Sequence, residues 1–250
     1  SGKSTLETKE LEELHIVYDM DAALQHEPKA AIIANPTALH LPVALATARA
    51  GCHLLIEKPI SQKIDAIDEL EKEVKKRGLQ VLVGFQFRFH PGFIRIKKLI
   101  QEGAIGSVVS VKAHWGEYLP SWHPWEDYHG GYSALPELGG GVILTLCHPL
   151  DYLRWLIGEV SEVSAMVGNS GGLDILVEDT ASIQLFFTSG AIGHVHLDYV
   201  QRPASHWLQV TGRKGTIQWD NSNGLVRCYQ ATAGSWREYP ISDQFERNSL

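Results

Sequence analysis

Two residues of this sequence have the side chains and the surroundings for moving a proton. Lys58 follows the apolar run His53-Leu54-Leu55-Ile56 and stands between Glu57 and Pro59. An ammonium at such a strand end can hydrogen-bond a hydroxyl, help its deprotonation and stabilise the alkoxide that forms. The plainer reading is a strand-end lysine pointing into water. His148 follows three glycines, Gly139 to Gly141, on an apolar helix, with Asp151 three residues later on the same face. Its imidazole can act as a general base or as a donor to a carbonyl, or it can be a core histidine satisfied by the backbone. Asp151 reads as structural, a cap or a partner for Arg154. Gln86 and Arg88 follow the next strand and should emerge at the same edge, although Arg88 can also brace a domain junction. Trp122, Trp125 and Tyr128 sit in one long polar stretch. They read either as an aromatic wall for the apolar face of a sugar or as an ordinary cluster or subunit contact. His194 and His196 alternate on a strand but show no third ligand in register, so no metal is expected.

These groups need elements that bring them to one edge. Ala30 to Ala34 is a short apolar run ending at Asn35-Pro36-Thr37, the pattern of a buried parallel strand that leads into a functional loop. A helix is predicted over Leu39 to Ala50, a strand over His53 to Ile56, and a helix capped by Ser61 with Ile64, Ile67, Leu70 and Val74 on its apolar stripe. Gly78 sits where a left-handed cap belongs, and Leu79 to Val83 makes a third strand. Strand, helix, strand, helix, strand with short connections means a parallel sheet with right-handed crossovers. Before it, Leu6 to Leu14 is charged and helix-tolerant, and Met20 to Leu24 reads as one short helical turn.

Beyond Gly84 the pattern changes. A helix is predicted from Phe93 to Gln101, a strand from Val108 to Trp115, and a single apolar helix from about Val142 to Leu156, ended by Gly158. Six further strands follow, over Val160–Val167, Thr180–Phe187, Gly193–Tyr199, Trp207–Thr211, Thr216–Asp220 and Leu225–Gln230, with turn signals between them. The fold class is therefore α/β plus α+β. A partial Rossmann-like parallel domain over residues 1–84 precedes an open, mainly antiparallel β-sheet domain over residues 85–250, with helices on one face. An apolar row such as Ile183, Leu185 and Phe187 needs cover, from helices or from a second sheet.

Composition narrows the partners. The net charge of −7 carries no basic run, which argues against nucleic acid and anionic membranes. Cys52, Cys147 and Cys228 are far apart and form no C-x-x-C pair, which fits a reducing cytoplasm better than a disulfide framework. No apolar run approaches a membrane span of roughly 20 residues.

Four motifs in order carry a resemblance: Asn35-Pro36-Thr37-Ala38-Leu39-His40, then Glu57-Lys58-Pro59, then Gly84-Phe85-Gln86-Phe87-Arg88-Phe89, then Gly139-Gly140-Gly141 with His148 and Asp151. In this the chain resembles the Gfo/Idh/MocA oxidoreductases over nearly its whole length. The resemblance implies NAD or NADP as cofactor, contacted by Asn35, Pro36, Thr37, His40, Glu57, Lys58, Pro59 and Gln86. It implies Lys58 and His148 as catalytic residues. Arg88, Trp122, Trp125, Tyr128, Thr145 and His148 would face a small-molecule substrate, a sugar, sugar nucleotide or cyclitol oxidised or reduced at a carbinol carbon. A homodimer or homotetramer formed through the open sheet is implied as well. The sequence departs from the family at two places. It holds no Gly-x-Gly-x-x-Gly turn, so the chain is expected to begin after the second Rossmann strand and to stop before the family's closing segment. Thr145 also stands where many relatives carry an acid. Relatives that use tightly held NAD for elimination or glycoside cleavage, and non-catalytic sensors or partner subunits, mark the two alternative outcomes.

Overall fold

The structure is a computed structural model and describes residues 15–241, so the stretch Leu6 to Leu14 lies outside it. Helix α1 (Met20–Leu24) is capped by Asp19, whose side chain accepts from the Ala22 amide. Strand β1 (Ala30–Ile33), helix α2 (His40–Arg49), strand β2 (His53–Ile56), helix α3 (Ile67–Arg77) and strand β3 (Val81–Val83) then build a three-stranded parallel sheet in the order β1-β2-β3. Ile33, Leu54 and Ile56 are buried on the face that packs with α2 and α3. The opposite face carries the row Ile32, Leu55 and Leu82, which are paired in register and exposed at 75%, 39% and 67%.

Helix α3 starts five residues later than a Ser61 cap would place it. The Ser61 hydroxyl instead accepts from the Lys63 amide in a local turn, and the α3 N-cap is Ala66 in the left-handed region. Ile64, assigned by its spacing to the apolar stripe, is consequently 86% exposed. The other end follows expectation: Gly78 closes α3 at φ +66°, where a side chain would be strained.

Helix α4 (Pro91–Gln101) leads into β4 (Val108–Tyr118), the centre of an eight-stranded sheet. Two short helices follow, α5 (Val142–Thr145) and α6 (His148–Ile157). The remaining strands are β5 (Val160–Gly168), β6 (Thr180–Phe187), β7 (Ile192–Asp198), β8 (Val200–Gly212), β9 (Gly215–Asp220), β10 (Leu225–Gln230) and β11 (Ser235–Tyr239), in the spatial order β11-β10-β9-β8-β4-β7-β6-β5. Each neighbouring pair is antiparallel except β4 with β7. Alternation decides which side chains are buried. Val111, Ala113, Val195, Leu197, Leu208 and Val210 join α4 and α6 in one core, and so do Ile183, Leu185 and Phe187. The apolar row is thus covered from within, and the outer face presents Lys112, His114, Gln184, His196, Gln209 and Gln218 instead.

Candidate active site

Parallel strands bring their carboxyl ends to one edge, so the segments after β1, β2 and β3 meet there. His40 staples the first two. Its Nδ1 lies 2.8 Å from the Pro59 carbonyl oxygen and its Nε2 2.8 Å from that of Asn35. The ring is only 1% exposed, so it fixes the loops rather than reaching out of them. Asn35 Oδ1 is buried without a protein partner. The third segment presses on the second: a Cβ at Gly84 would stand 3.2 Å from Glu57 Oε2. The Lys58–Pro59 peptide is cis. Thr37 is buried against Gly139, whose φ of +83° and missing Cβ, which would lie 2.8 Å from the Thr37 Cβ, require glycine there.

The second half supplies the opposing wall, and a helix break shapes it. Val142 to Leu156, read in sequence as one helix, is two helices, because Pro149 has no amide hydrogen and sits in the first turn of α6. In a continuous helix the amide of residue 149 would bond the carbonyl of Thr145. With proline there, that carbonyl takes another donor, and the Lys58 ammonium donates to it at 2.7 Å. Lys58 is thereby fixed one turn before His148.

His148 is 2% exposed and walled by aromatic rings. Phe85 and Phe87 meet it edge-on at 5.9 and 5.0 Å between centroids, and Trp115 stacks on it at 5.6 Å. Trp115 also stacks on His206 at 4.2 Å, and its indole nitrogen donates to Glu117 at 2.7 Å. Burial, with His148, His90 and His114 adding to it, pushes the His206 imidazole well below its usual value. Burial also raises the Cys147 thiol to about 11 even with Lys58 nearby, so this cysteine is no nucleophile at neutral pH.

Arg88 emerges at the edge as expected, but its guanidinium is committed to Asp151 on α6, at 2.9 and 2.6 Å. The fork ties the end of β3 to the helix that carries His148, which is a brace across the junction. Asp151 therefore does not pair with Arg154, which bonds Glu159 at 2.8 Å instead. Gln86 stands half-buried in a short turn at the edge.

The three aromatic residues of the long loop do not form one wall. Trp122 packs on Tyr199 in the core, Trp125 is 53% exposed beside His123, and Tyr128 stacks on His129 while its hydroxyl donates to the Leu173 carbonyl at 2.9 Å. Sequence reasoning missed Phe85, Phe87 and Trp115 as the enclosure of His148. The two phenylalanines lie inside the quoted motif, whereas Trp115 has no local signal because only the sheet brings it there.

A parallel sheet whose carboxyl edge presents a lysine to a histidine-bearing helix of a second, open-sheet half is the layout of a two-part nucleotide-binding protein. The chain belongs to the Gfo/Idh/MocA family. Residues 3–85 match the family model described as oxidoreductase family, NAD-binding Rossmann fold, and residues 93–218 match the GFO/IDH/MocA C-terminal domain. An uncharacterized oxidoreductase of Bacillus subtilis is 32% identical over 212 residues, 80% of this chain and 58% of its own. Levoglucosan dehydrogenase of Pseudarthrobacter phenanthrenivorans is 28% identical over 211 residues, 74% of this chain and 53% of its own. A solved levoglucosan dehydrogenase in complex with NADH and levoglucosan superposes with a TM-score of 0.79 at 21% identity, over 92% of this chain and 69% of that one, a likeness of fold. The chain spans a little over half the length of these curated relatives.

Proposed function

We propose that the protein transfers hydride between NAD or NADP and a carbinol carbon of a sugar or cyclitol, with Lys58 and His148 handling the oxygen and its proton. The observation that carries this reading is Lys58 Nζ, anchored 2.7 Å from the Thr145 carbonyl one turn before His148, at the ligand edge of a parallel sheet. The residues there fit a nicotinamide nucleotide. Asn35 Oδ1 is a buried acceptor without a protein donor, as a ribose hydroxyl would require, and the tightly packed segments at 35–37, 57–59 and 84–86 leave backbone along the edge. When bound, the cofactor accepts or supplies the hydride. Lys58, held at one hydrogen bond, has two further N–H donors for the substrate oxygen and opposes the negative charge that grows on it. His148 takes up the proton or returns it, and the rings of Phe85, Phe87 and Trp115 keep bulk water from its imidazole. The levoglucosan relative supports an anhydrosugar or a related polyol as substrate.

The test uses the full encoded protein, titrated with NADH and NADPH by tryptophan fluorescence and then assayed for nicotinamide absorbance change with anhydrosugars, aldoses and inositols. Saturable cofactor binding with turnover of one of these classes is expected. Absence of binding to either cofactor overturns the proposal.

A further inference from the structure

Three metal-ligand residues stand together on the outer face of the eight-stranded sheet, away from the edge just described. His114 on β4 and His196 on β7 are direct partners in the parallel pairing of these strands. Their rings lie face to face at 5.2 Å with 3° between the planes. Asp198, two residues along β7 and so on the same face, points Oδ2 to within 3.3 Å of His196 Nε2. One ligand atom from each of the three lies within 4.8 Å of the other two. We propose that His114, His196 and Asp198 form a site for a divalent first-row transition cation such as zinc, with a fourth position open to water.

The surroundings fit an ion better than a plain aromatic ladder. Asp198 is only 3% exposed, an unusual place for a carboxylate on an open sheet face. Its Oδ1 accepts from the Val200 amide at 2.9 Å, which orients Oδ2 toward the imidazoles in the manner of an outer-shell bond at a metal centre. The register partner of Asp198 is Gly116, where a Cβ would come within 2.4 Å of Oδ2, so glycine leaves the carboxylate its room. The His114 side chain makes no hydrogen bond to protein among the described residues, and its ring is held between His196 and Trp207, which stacks on it at 5.6 Å and 13°. Two neutral imidazoles and one carboxylate are a nitrogen and oxygen set that suits zinc. In the sequence only His194 and His196 drew notice as a pair. On the sheet His194 lies opposite Lys112 and outside the cluster, and the third ligand comes from across the strands.

The test strips the full encoded protein with chelator and titrates it with zinc by calorimetry, followed by cobalt substitution to read coordination from the visible spectrum. One equivalent bound, a tetrahedral cobalt spectrum and a metal-dependent rise in melting temperature are expected. His114→Gln and His196→Gln should each weaken binding by more than about 100-fold, beyond the roughly 10- to 100-fold cost of losing an outer-shell partner, while leaving the apo melting temperature near that of the parent, and His194→Gln should leave binding unchanged. Binding that survives both His114→Gln and His196→Gln, or no saturable binding by the parent, overturns the site. NAD(P) titration of the same samples keeps this result separate from that for the edge at Lys58.

Discussion

Among the described residues each of the two sheets leaves one face without helices, and the faces differ. On the three-stranded sheet the bare face is the aliphatic row Ile32, Leu55 and Leu82. On the eight-stranded sheet it is mixed, with Lys112, His114, Gln184, Gln209 and Gln218 beside Phe186, Ile192 and Met166. A parallel sheet is ordinarily covered on both sides, whereas an antiparallel one can turn a side to water. Among the described residues the larger sheet shares one core with the helices on its covered face, and the smaller sheet packs with a single helical layer. The proposed chemistry lies where the two meet.

The largest effect should come from cutting the group proposed to handle the proton, which the small sheet contributes. Lys58→Ala is expected to lower kcat by roughly 10²- to 10⁴-fold with an unchanged circular dichroism spectrum. A near-normal kcat would remove Lys58 from the chemistry and leave the small sheet as a binding element. Next comes the covered side of that sheet. Ile56→Ala should cost about 2–5 kcal/mol in urea unfolding, while Ile32→Ala on the bare side should stay within about 0.5 kcal/mol. Equal costs would mean that the bare row is covered in solution.

The junction itself should respond more mildly. Arg88→Gln removes the fork to Asp151 and lets the helix of His148 shift against Lys58. A fall in kcat of about 10-fold is expected, with a stability loss near 1 kcal/mol because the arginine is partly solvated. If only KM rose, Arg88 would belong to substrate binding instead.

The last effect is a pH slope from the large core. Burial lowers His90 from near 6.5 to about 4, and its Nδ1 accepts from the Gly92 amide as the cap of α4, which needs the neutral ring. The unfolded chain therefore binds the extra proton between these values. Stability should be full above about pH 6.5 and decline as pH falls toward 4, and urea titrations of His90→Asn should show a shallower decline.

Much of this was legible in local pattern. Apolar runs ending at Asn35 and Glu57 announced parallel strands, and the proline after Lys58 marked the edge where they stop. Pro149 was legible too, but its place inside a long apolar run hid the break it causes. Ser61 looked like a cap because it precedes a helical stripe, yet the chain turns through Ala66 first. Strand β11 went unread, since Ser235 to Tyr239 is a short, mostly exposed edge segment with no apolar alternation. The Arg88–Asp151 fork joins residues 63 apart, and no spacing rule foretells it.

The helix break at Pro149 has a consequence for engineering. Because the freed Thr145 carbonyl anchors Lys58, the two halves are matched at specific atoms as well as in shape. A chimera that joins the first half of one relative to the second half of another should inherit activity only when lysine and proline, and arginine and aspartate, travel as matched sets.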